Sequence, residues 1–285
     1  MQWMDDRSIL GKYSVNGLAV AVSERYIFLV NNPTSLSVND IEHFKKYGWV
    51  LTCDLSDDGV HELRTWVQEI ENWSVDGTFL RHEEMTTYGP KVARIEYFAH
   101  IHQPIGDLLA KGDMLSHASD LLGEQAVLYK EKINFKLAGG AGWSPHQDAP
   151  AYPFVTSHVS CMVAVDDATM ENGCLEVVSG AHAELLPTDE KGCLTDEVVN
   201  DLAWEPMEIK AGQTLWFHSR TPHRSGDNES KRDRRALYPT YNALSEGDLR
   251  EPYYQKKLSE FAKMKETGTQ VRVSLLDDFR GKPVS

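Results

Sequence analysis

Residues 142–154 read GWSPHQDAPAYPF and set a histidine and an aspartate two positions apart, His146 and Asp148, among glycines and prolines. Alternate residues of a β-strand point to one side. The two side chains therefore share a face and can aim together into the interior of a barrel. An imidazole and a carboxylate converging there are two-thirds of a facial site for a non-haem iron(II) ion. The pair is weak on its own: the chain holds 11 histidines, and His82-x-Glu84 and His182-x-Glu184 are similar pairs. A third ligand and a cosubstrate anchor are needed elsewhere, and the barrel geometry says where to look.

Downstream of residue 125 the texture suits such a barrel. AVLYKEKINFKL, SHVSCMVAVDD, CLEVVSG, MEIKAGQTLWFHS and RRALYPTYNAL are short β-type runs separated by glycine, proline or Asp-Asn turns. Several short strands in succession point to a barrel or jelly roll. Upstream the patterns are helical. In SLSVNDIEHFKKYGWVLT, Ser37 or Asn39 caps a helix through Asp40 to Lys46, Gly48 stops it and WVLT begins a strand. In SDDGVHELRTWVQEIENW, Val60, Leu63, Trp66, Val67 and Ile70 form one apolar stripe. IGDLLAKGDMLSHASDLLG is a third helical region, closed by Gly123, and REPYYQKKLSEFAKMKETG returns to helix near the end. GLAVAVSERYIFLV is β-rich and suits a hairpin, although residues 1–35 are otherwise hard to place. The fold expected is mainly β with flanking helices, a single domain over 1–285 whose strand-rich core spans about 125–243.

The third ligand should come from a later strand. TLWFHSRTPHRSG offers His218 and His223. His223 follows Pro222 at the strand end, where a barrel mouth would be, and is preferred; His218 lies mid-strand beside Phe217 and suits a packed histidine. If 2-oxoglutarate chelates the iron, its far carboxylate needs a cation that grips it in two places. The turn SGDNES reverses the chain, and Arg234 at the head of RALYPTY would lie beside His223 across a hairpin, with Ser225 adding a hydroxyl. Lys231 and Arg232 read as ordinary charged turn residues.

The pieces INFKLAGGAGWSPHQDAPAYPF, ENGCLEVVSGAHAELLP, GQTLWFHSRTPHRSGDN and RRALYPTYN stand in the order seen in the phytanoyl-CoA dioxygenase (PhyH) family of Fe(II)/2-oxoglutarate-dependent oxygenases, which the chain resembles. DIEHFKKYGWVLT resembles that family's first helix and strand. The resemblance implies a double-stranded β-helix, a cupin-like jelly roll, with iron on His146, Asp148 and His223 and 2-oxoglutarate against Arg234 and Ser225. It adds Asn134 as a cosubstrate residue and, from the preceding segment, Lys91 or Arg94. It implies that O₂ and 2-oxoglutarate are consumed to give succinate and CO₂ while an unactivated C–H bond is hydroxylated. Members that halogenate replace the carboxylate ligand with a small residue; Asp148 is intact, which implies hydroxylation.

LYKEKINFK puts Lys130, Lys132, Asn134 and Lys136 on one strand face and Glu131, Ile133, Phe135 and Leu137 on the other. If Asn134 faces the cosubstrate, Lys130 and Lys132 face the pocket and call for an anionic group on the substrate, because buried ammonium groups are costly without a partner. In the opposite register the lysines are solvated, and the pattern alone allows both. Tyr152, Tyr97 and Tyr241 are candidates to line or gate the pocket. The expected substrate is a small polar metabolite, carrying a phosphonate or carboxylate. Alternatives are a natural-product oxygenase performing hydroxylation, desaturation or ring formation, and a non-catalytic metabolite-binding barrel. His100-x-His102 has no third ligand, and Asp166-Asp167 reads as a turn.

The formal net charge of −14 argues against nucleic acid or an anionic membrane surface as partner. The longest apolar stretches, such as GLAVAV at 17–22, are too short to span a bilayer. Four scattered cysteines without a C-x-x-C fit reduced thiols rather than a zinc site or disulfide scaffold, and MQWMDDRSILGKY lacks the apolar segment of a secretory signal. A cytoplasmic monomer or homodimer is expected.

Overall fold

The computed structural model describes residues 11–15, 18–22, 34–74, 79–86, 89–152 and 154–266. Near the amino terminus β1 (Gly11–Val15) pairs antiparallel with β2 (Leu18–Val22), so the hairpin lies earlier than GLAVAVSERYIFLV suggested. Gly17 and residues 23–30 of that stretch are outside the described residues.

Helix α1 (Val38–Tyr47) is closed at both ends by its own sequence. The hydroxyl of Ser37 accepts from the Asp40 amide and the Asp40 carboxylate accepts from the Ser37 amide, a reciprocal cap. Gly48 then takes a left-handed φ of 81° and leads into β3 (Trp49–Cys53). Helix α2 (Asp57–Glu71) buries the expected stripe of Val60, Leu63, Trp66, Val67 and Ile70. The third helical region is two helices, α3 (Gln103–Ala110) and α4 (Gly112–Leu122), because Lys111 is extended at φ −145°, ψ 178°.

The remaining strands are β4 (Leu80–Thr86), β5 (Gly89–Glu96), β6 (Ala126–Lys136), β7 (Trp143–His146), β8 (His158–Ala164), β9 (Leu175–Val177), β10 (Glu205–Met207), β11 (Gln213–His218), β12 (His223–Ser225) and β13 (Arg234–Ala243). A short helix α5 (Asp196–Asp201) precedes β10, and α6 (Arg250–Glu266) follows β13. The strands form two antiparallel sheets, a seven-stranded one in the order β3-β11-β8-β13-β6-β5-β4 and a four-stranded one in the order β10-β9-β12-β7. The hairpin β4–β5 lies outside the strand-rich interval expected from the sequence and extends the larger sheet at its edge. The fold is a cupin-like jelly roll, mainly β with flanking helices.

Both faces of the larger sheet are buried, and period-two alternation sorts its side chains. Cys161, Val163, Trp216 and Leu237 pack with the apolar faces of α1 to α4 on one side. Met162, Ala164, Leu215, Phe217 and Ala236 point the other way, into the space shared with Leu175 and Val177 of the smaller sheet. In β6 the pairing with β13 slips between Thr240 and Tyr241, which face Lys130 and Leu128 and leave Tyr129 as an extra residue. That bulge exchanges the two faces: Ala126 and Leu128 before it share the helix-side core with Ile133 and Phe135 after it. Lys130, Lys132, Asn134 and Lys136 therefore face the jelly-roll interior.

Helix α6 is docked by buried ion pairs. Arg250 meets the fully buried Glu131 at 2.5 Å, and Lys257 meets Glu96 at 2.5 Å. Glu131 also accepts from the amides of Phe98 and Ala99 at 2.9 Å each. These bonds keep a carboxylate on an otherwise apolar strand face from being an uncompensated charge. No helix of the described residues is long and apolar enough to cross a membrane.

Candidate active site

Strands β7 and β12 pair so that His223 stands directly opposite His146. His146 is the last residue of β7, and Asp148 lies just beyond it with helical angles, φ −70° and ψ −29°, at the head of a single 3₁₀ turn. The expected strand spacing thus holds for His146 only; the turn brings Asp148 round to the same side. Gln147 points away and acts as a staple. Its amide nitrogen donates to the carbonyls of Glu184 and Arg220, and its oxygen accepts from the Leu186 amide at 2.8 Å.

His146, Asp148 and His223 are buried, and each offers a ligand atom within 4.8 Å of the others. Nδ1 of His146 bonds the Ser144 carbonyl at 2.7 Å, and Nδ1 of His223 bonds that of Thr221 at 3.0 Å. A carbonyl only accepts, so each ring carries its proton on Nδ1 and leaves the Nε2 lone pair for a metal. The other carboxylate oxygen of Asp148 accepts from Ser160 Oγ at 3.0 Å, which lies 2.9 Å from Thr240 Oγ1, its cross-strand neighbour. Burial opposes ionisation of Asp148, but His223, Lys130 and His146 more than offset it and hold the carboxyl well below its usual range. Burial, with His146 beside it, pushes His223 down to about 4, so its imidazole is neutral near pH 7. Two imidazoles and one carboxylate, each oriented from behind, fit a ferrous ion with coordination positions left open.

His218 is not part of the cluster. It packs 5.4 Å from the His182 ring, and its Nδ1 accepts from the Arg220 amide. The chain leaves the larger sheet after His218 and enters the smaller one at His223.

Arg234 is buried at the head of β13, with its guanidinium on the carbonyls of Gly173 at 3.2 Å and Asn172 at 3.4 Å. The hairpin expected between His223 and Arg234 does not form. β12 and β13 belong to different sheets, and Arg234 pairs with Lys136 of β6. The connection between them is instead clamped by Asn228, whose side-chain amide donates to the carbonyls of Lys136 and Arg232. Ser225 stands opposite Trp143, and its hydroxyl accepts from Lys136. Asn134 lines the interior and accepts from Arg94 Nε at 2.9 Å. Of the two cations offered by KVARIEY, Arg94 is buried, 4.5 Å above the Trp143 ring, whereas Lys91 is exposed beside Asp233.

A chamber opens at the triad, walled by Lys132, Asn134, Trp143, Tyr152, Phe217 and Tyr238 among others. Lys132 Nζ lies 5.3 Å from the Tyr238 ring and 5.8 Å from that of Trp143. Lys130 Nζ sits 4.0 Å over the Tyr152 ring. Burial, and then Lys132, hold Lys130 well below the usual lysine range. Two of the tyrosine expectations are corrected. Tyr97 is not in the chamber wall: it stacks 4.0 Å from Tyr254 and donates to Glu251, because the chain leaves β5 at φ 63° and turns its ring towards α6. Tyr241 faces the helix layer, on the same side of β13 as Leu237 four residues before it, and donates to the Leu109 carbonyl. Sequence reasoning passed over Trp143, Tyr238, Ser160 and Thr240. Tyr238 and Thr240 lie four and six residues beyond Arg234 on the same strand, so their alternation with Arg234 was the available signal.

His102 caps α3 by accepting from the Ile105 amide, and Asp166 is the bidentate partner of Arg235, so neither pair set aside in the sequence joins the site.

The profile of the phytanoyl-CoA dioxygenase (PhyH) family matches residues 44–236. A methylphosphonate hydroxylase of Gimesia maris is 43% identical over 254 residues, covering 88% of this chain and 98% of the relative. A 2-aminoethylphosphonate dioxygenase from an uncultured bacterium is 35% identical over 240 residues, covering 82% of this chain and 89% of the relative. The crystal structure of EctD from S. alaskensis with 2-oxoglutarate and 5-hydroxyectoine matches with a TM-score of 0.65 at 19% identity, over 76% of this chain and 81% of that one. At that identity the likeness speaks for the fold. The chain belongs to the phytanoyl-CoA dioxygenase (PhyH) family and is an Fe(II)/2-oxoglutarate-dependent dioxygenase acting on a small molecule.

Proposed function

We propose that this enzyme hydroxylates a C–H bond of a small alkylphosphonate, with iron held by His146, Asp148 and His223 and 2-oxoglutarate held by Arg234, Ser225 and Asn134. The observation that carries the substrate class is the run of ammonium groups on the interior face of β6. Lys130, buried, and Lys132, half-buried, stand on the same wall as Asn134 beside the triad, where an anionic group on the substrate would compensate their charge. A phosphonate supplies that anion, and the relatives named above act on phosphonates.

Iron and 2-oxoglutarate together supply an oxidising equivalent from O₂, with succinate and CO₂ as the other products, and leave one oxygen atom on the substrate carbon. The side chains hold and orient. Ser160 and Thr240 steady the free oxygen of Asp148, and the carbonyls of Ser144 and Thr221 steady the imidazoles. Lys132 receives the phosphonate, and Lys130 raises the local positive potential from behind Tyr152. Trp143 and Tyr238 flank Lys132, narrow the chamber and exclude water.

The test has two stages. Anaerobic addition of iron(II) and 2-oxoglutarate should give the weak visible charge-transfer band of the chelate. With O₂, methylphosphonate and then 2-aminoethylphosphonate should stimulate succinate release, with a new phosphorus resonance for the hydroxylated product. A clean chelate band with no phosphonate raising succinate above the substrate-free rate would refute the substrate class.

A further inference from the structure

We propose that Lys136 is a second cation for the distal carboxylate of 2-oxoglutarate, working with Arg234, so that the cosubstrate is selected as a dicarboxylate by an ammonium and a guanidinium together. The inference rests on the reading above that Arg234 receives that carboxylate.

Lys136 of β6 and Arg234 of β13 are register partners, and both are buried. Their charged heads converge on one atom: the Gly173 carbonyl accepts from Lys136 Nζ at 3.0 Å and from Arg234 Nη2 at 3.2 Å. Lys136 also donates to Ser225 Oγ at 2.9 Å and to the Gly226 carbonyl at 2.5 Å. All three partners are neutral oxygens. Like charges placed opposite each other on neighbouring strands repel, and the repulsion is screened least where water is absent. A carboxylate set between the two heads removes it.

The surroundings make room for one. Lys136, Arg234, Asn134 and Trp143 line one cavity, and Asn134 and Trp143 also line the chamber at the triad. Gly173 is the residue that lets the heads meet. Its φ is +69°, and a Cβ there would lie 2.5 Å from Lys136 Nζ. Ser225 adds to the argument: with Lys136 donating to its oxygen, the hydroxyl proton is turned outward as a donor, which suits a carboxylate. Burial, and then Arg234, push Lys136 down to about 7, against the pull of Asp227. The ammonium form is thus poised to be stabilised by an arriving anion.

A lysine that merely ties Gly173, Ser225 and Gly226 together would look similar, so the test varies the ligand as well as the protein. Dissociation constants of 2-oxoglutarate and of 2-oxopentanoate, which has a methyl in place of the distal carboxylate, are measured by anaerobic titration of the iron(II) enzyme, where no turnover occurs. The wild type should prefer 2-oxoglutarate strongly. Lys136→Met should shrink that preference about tenfold to hundredfold, the loss of one charge-assisted hydrogen bond, and Lys136→Arg should keep most of it. Lys136→Gln, which retains donors for the carbonyls without the charge, should behave like Lys136→Met and serves if that variant does not fold. Both ligands weakening equally, with the preference intact, would overturn the inference and leave Lys136 as a structural tie. Arg234→Met is the control: an unchanged preference there would sink the assignment of Arg234 itself, a separate failure.

Discussion

Replacing Lys132 by methionine keeps the aliphatic stem between Trp143 and Tyr238 and removes the charge. The ring contacts, at 5.8 and 5.3 Å, are each worth only about 0.5–1 kcal/mol, and their loss is offset by relief of ammonium desolvation. Thermal stability should therefore change little. Substrate binding should change much more. One charge-assisted hydrogen bond to a phosphonate oxygen is worth roughly 1.5–3 kcal/mol, and about 1.4 kcal/mol corresponds to a factor of ten. The KM for methylphosphonate should rise about 10- to 150-fold, read from succinate release at saturating 2-oxoglutarate. Iron content and the dissociation constant of 2-oxoglutarate should stay near wild type, because the register partner of Arg234 is Lys136, whereas Lys132 stands opposite Tyr238. Lys132→Arg should recover part of the loss. A KM within about threefold of wild type, or a 2-oxoglutarate constant that rises in step with it, would refute the reasoning and return Lys132 to a structural role.

Two further outcomes are expected. Ser160→Ala removes the hydroxyl behind Asp148, and iron affinity should fall about 10- to 100-fold, as for other outer-sphere partners; an unchanged metal titration would show that Thr240 and the turn suffice. In the metal-free protein, stability to chemical denaturation should fall as the pH drops from 6.5 towards 4. Burial pushes His158 down from 6.5 to about 3, and His82 to about 4, so over that range the unfolded chain binds protons that the folded chain refuses. The contribution is fully present above pH 6.5. His158→Leu should flatten the slope by about 1.4 kcal/mol per pH unit, and an unaltered slope would mean that His158 is protonated in the fold.

The amino-terminal helices were legible because their signals are local. Ser37 with Asp40, and Gly48, act within one turn of α1, and the stripe from Val60 to Ile70 needs only a neighbour to bury against. The strand runs were legible for the same reason, apart from the hairpin β4–β5. The register of β6 was not. Its two faces are both buried, one under helices and one inside the jelly roll, so alternation distinguishes two sets of residues without saying which set looks inward. The bulge at Tyr129 then reverses the sets partway along the strand. Tyr97 shows a related limit: a tyrosine beside a barrel strand belongs to the pocket or to the outer layer according to a backbone turn, here at φ 63°, that its neighbours do not announce.

From the chain alone came the histidine and aspartate around Gln147, the choice of His223 over His218, the arginine at the head of RALYPTY and the jelly-roll class, because each depends on residue chemistry and on spacing along one strand or turn. Tertiary structure decided the rest. It moved Arg234 from a supposed hairpin beside His223 to the register position opposite Lys136, turned Lys130 and Lys132 towards the triad, and set Gly173 beneath two cations. Those relations join β6, β9, β12 and β13 across two sheets. Side chains distant in sequence meet only once the sheets have closed, so no local pattern encodes their meeting.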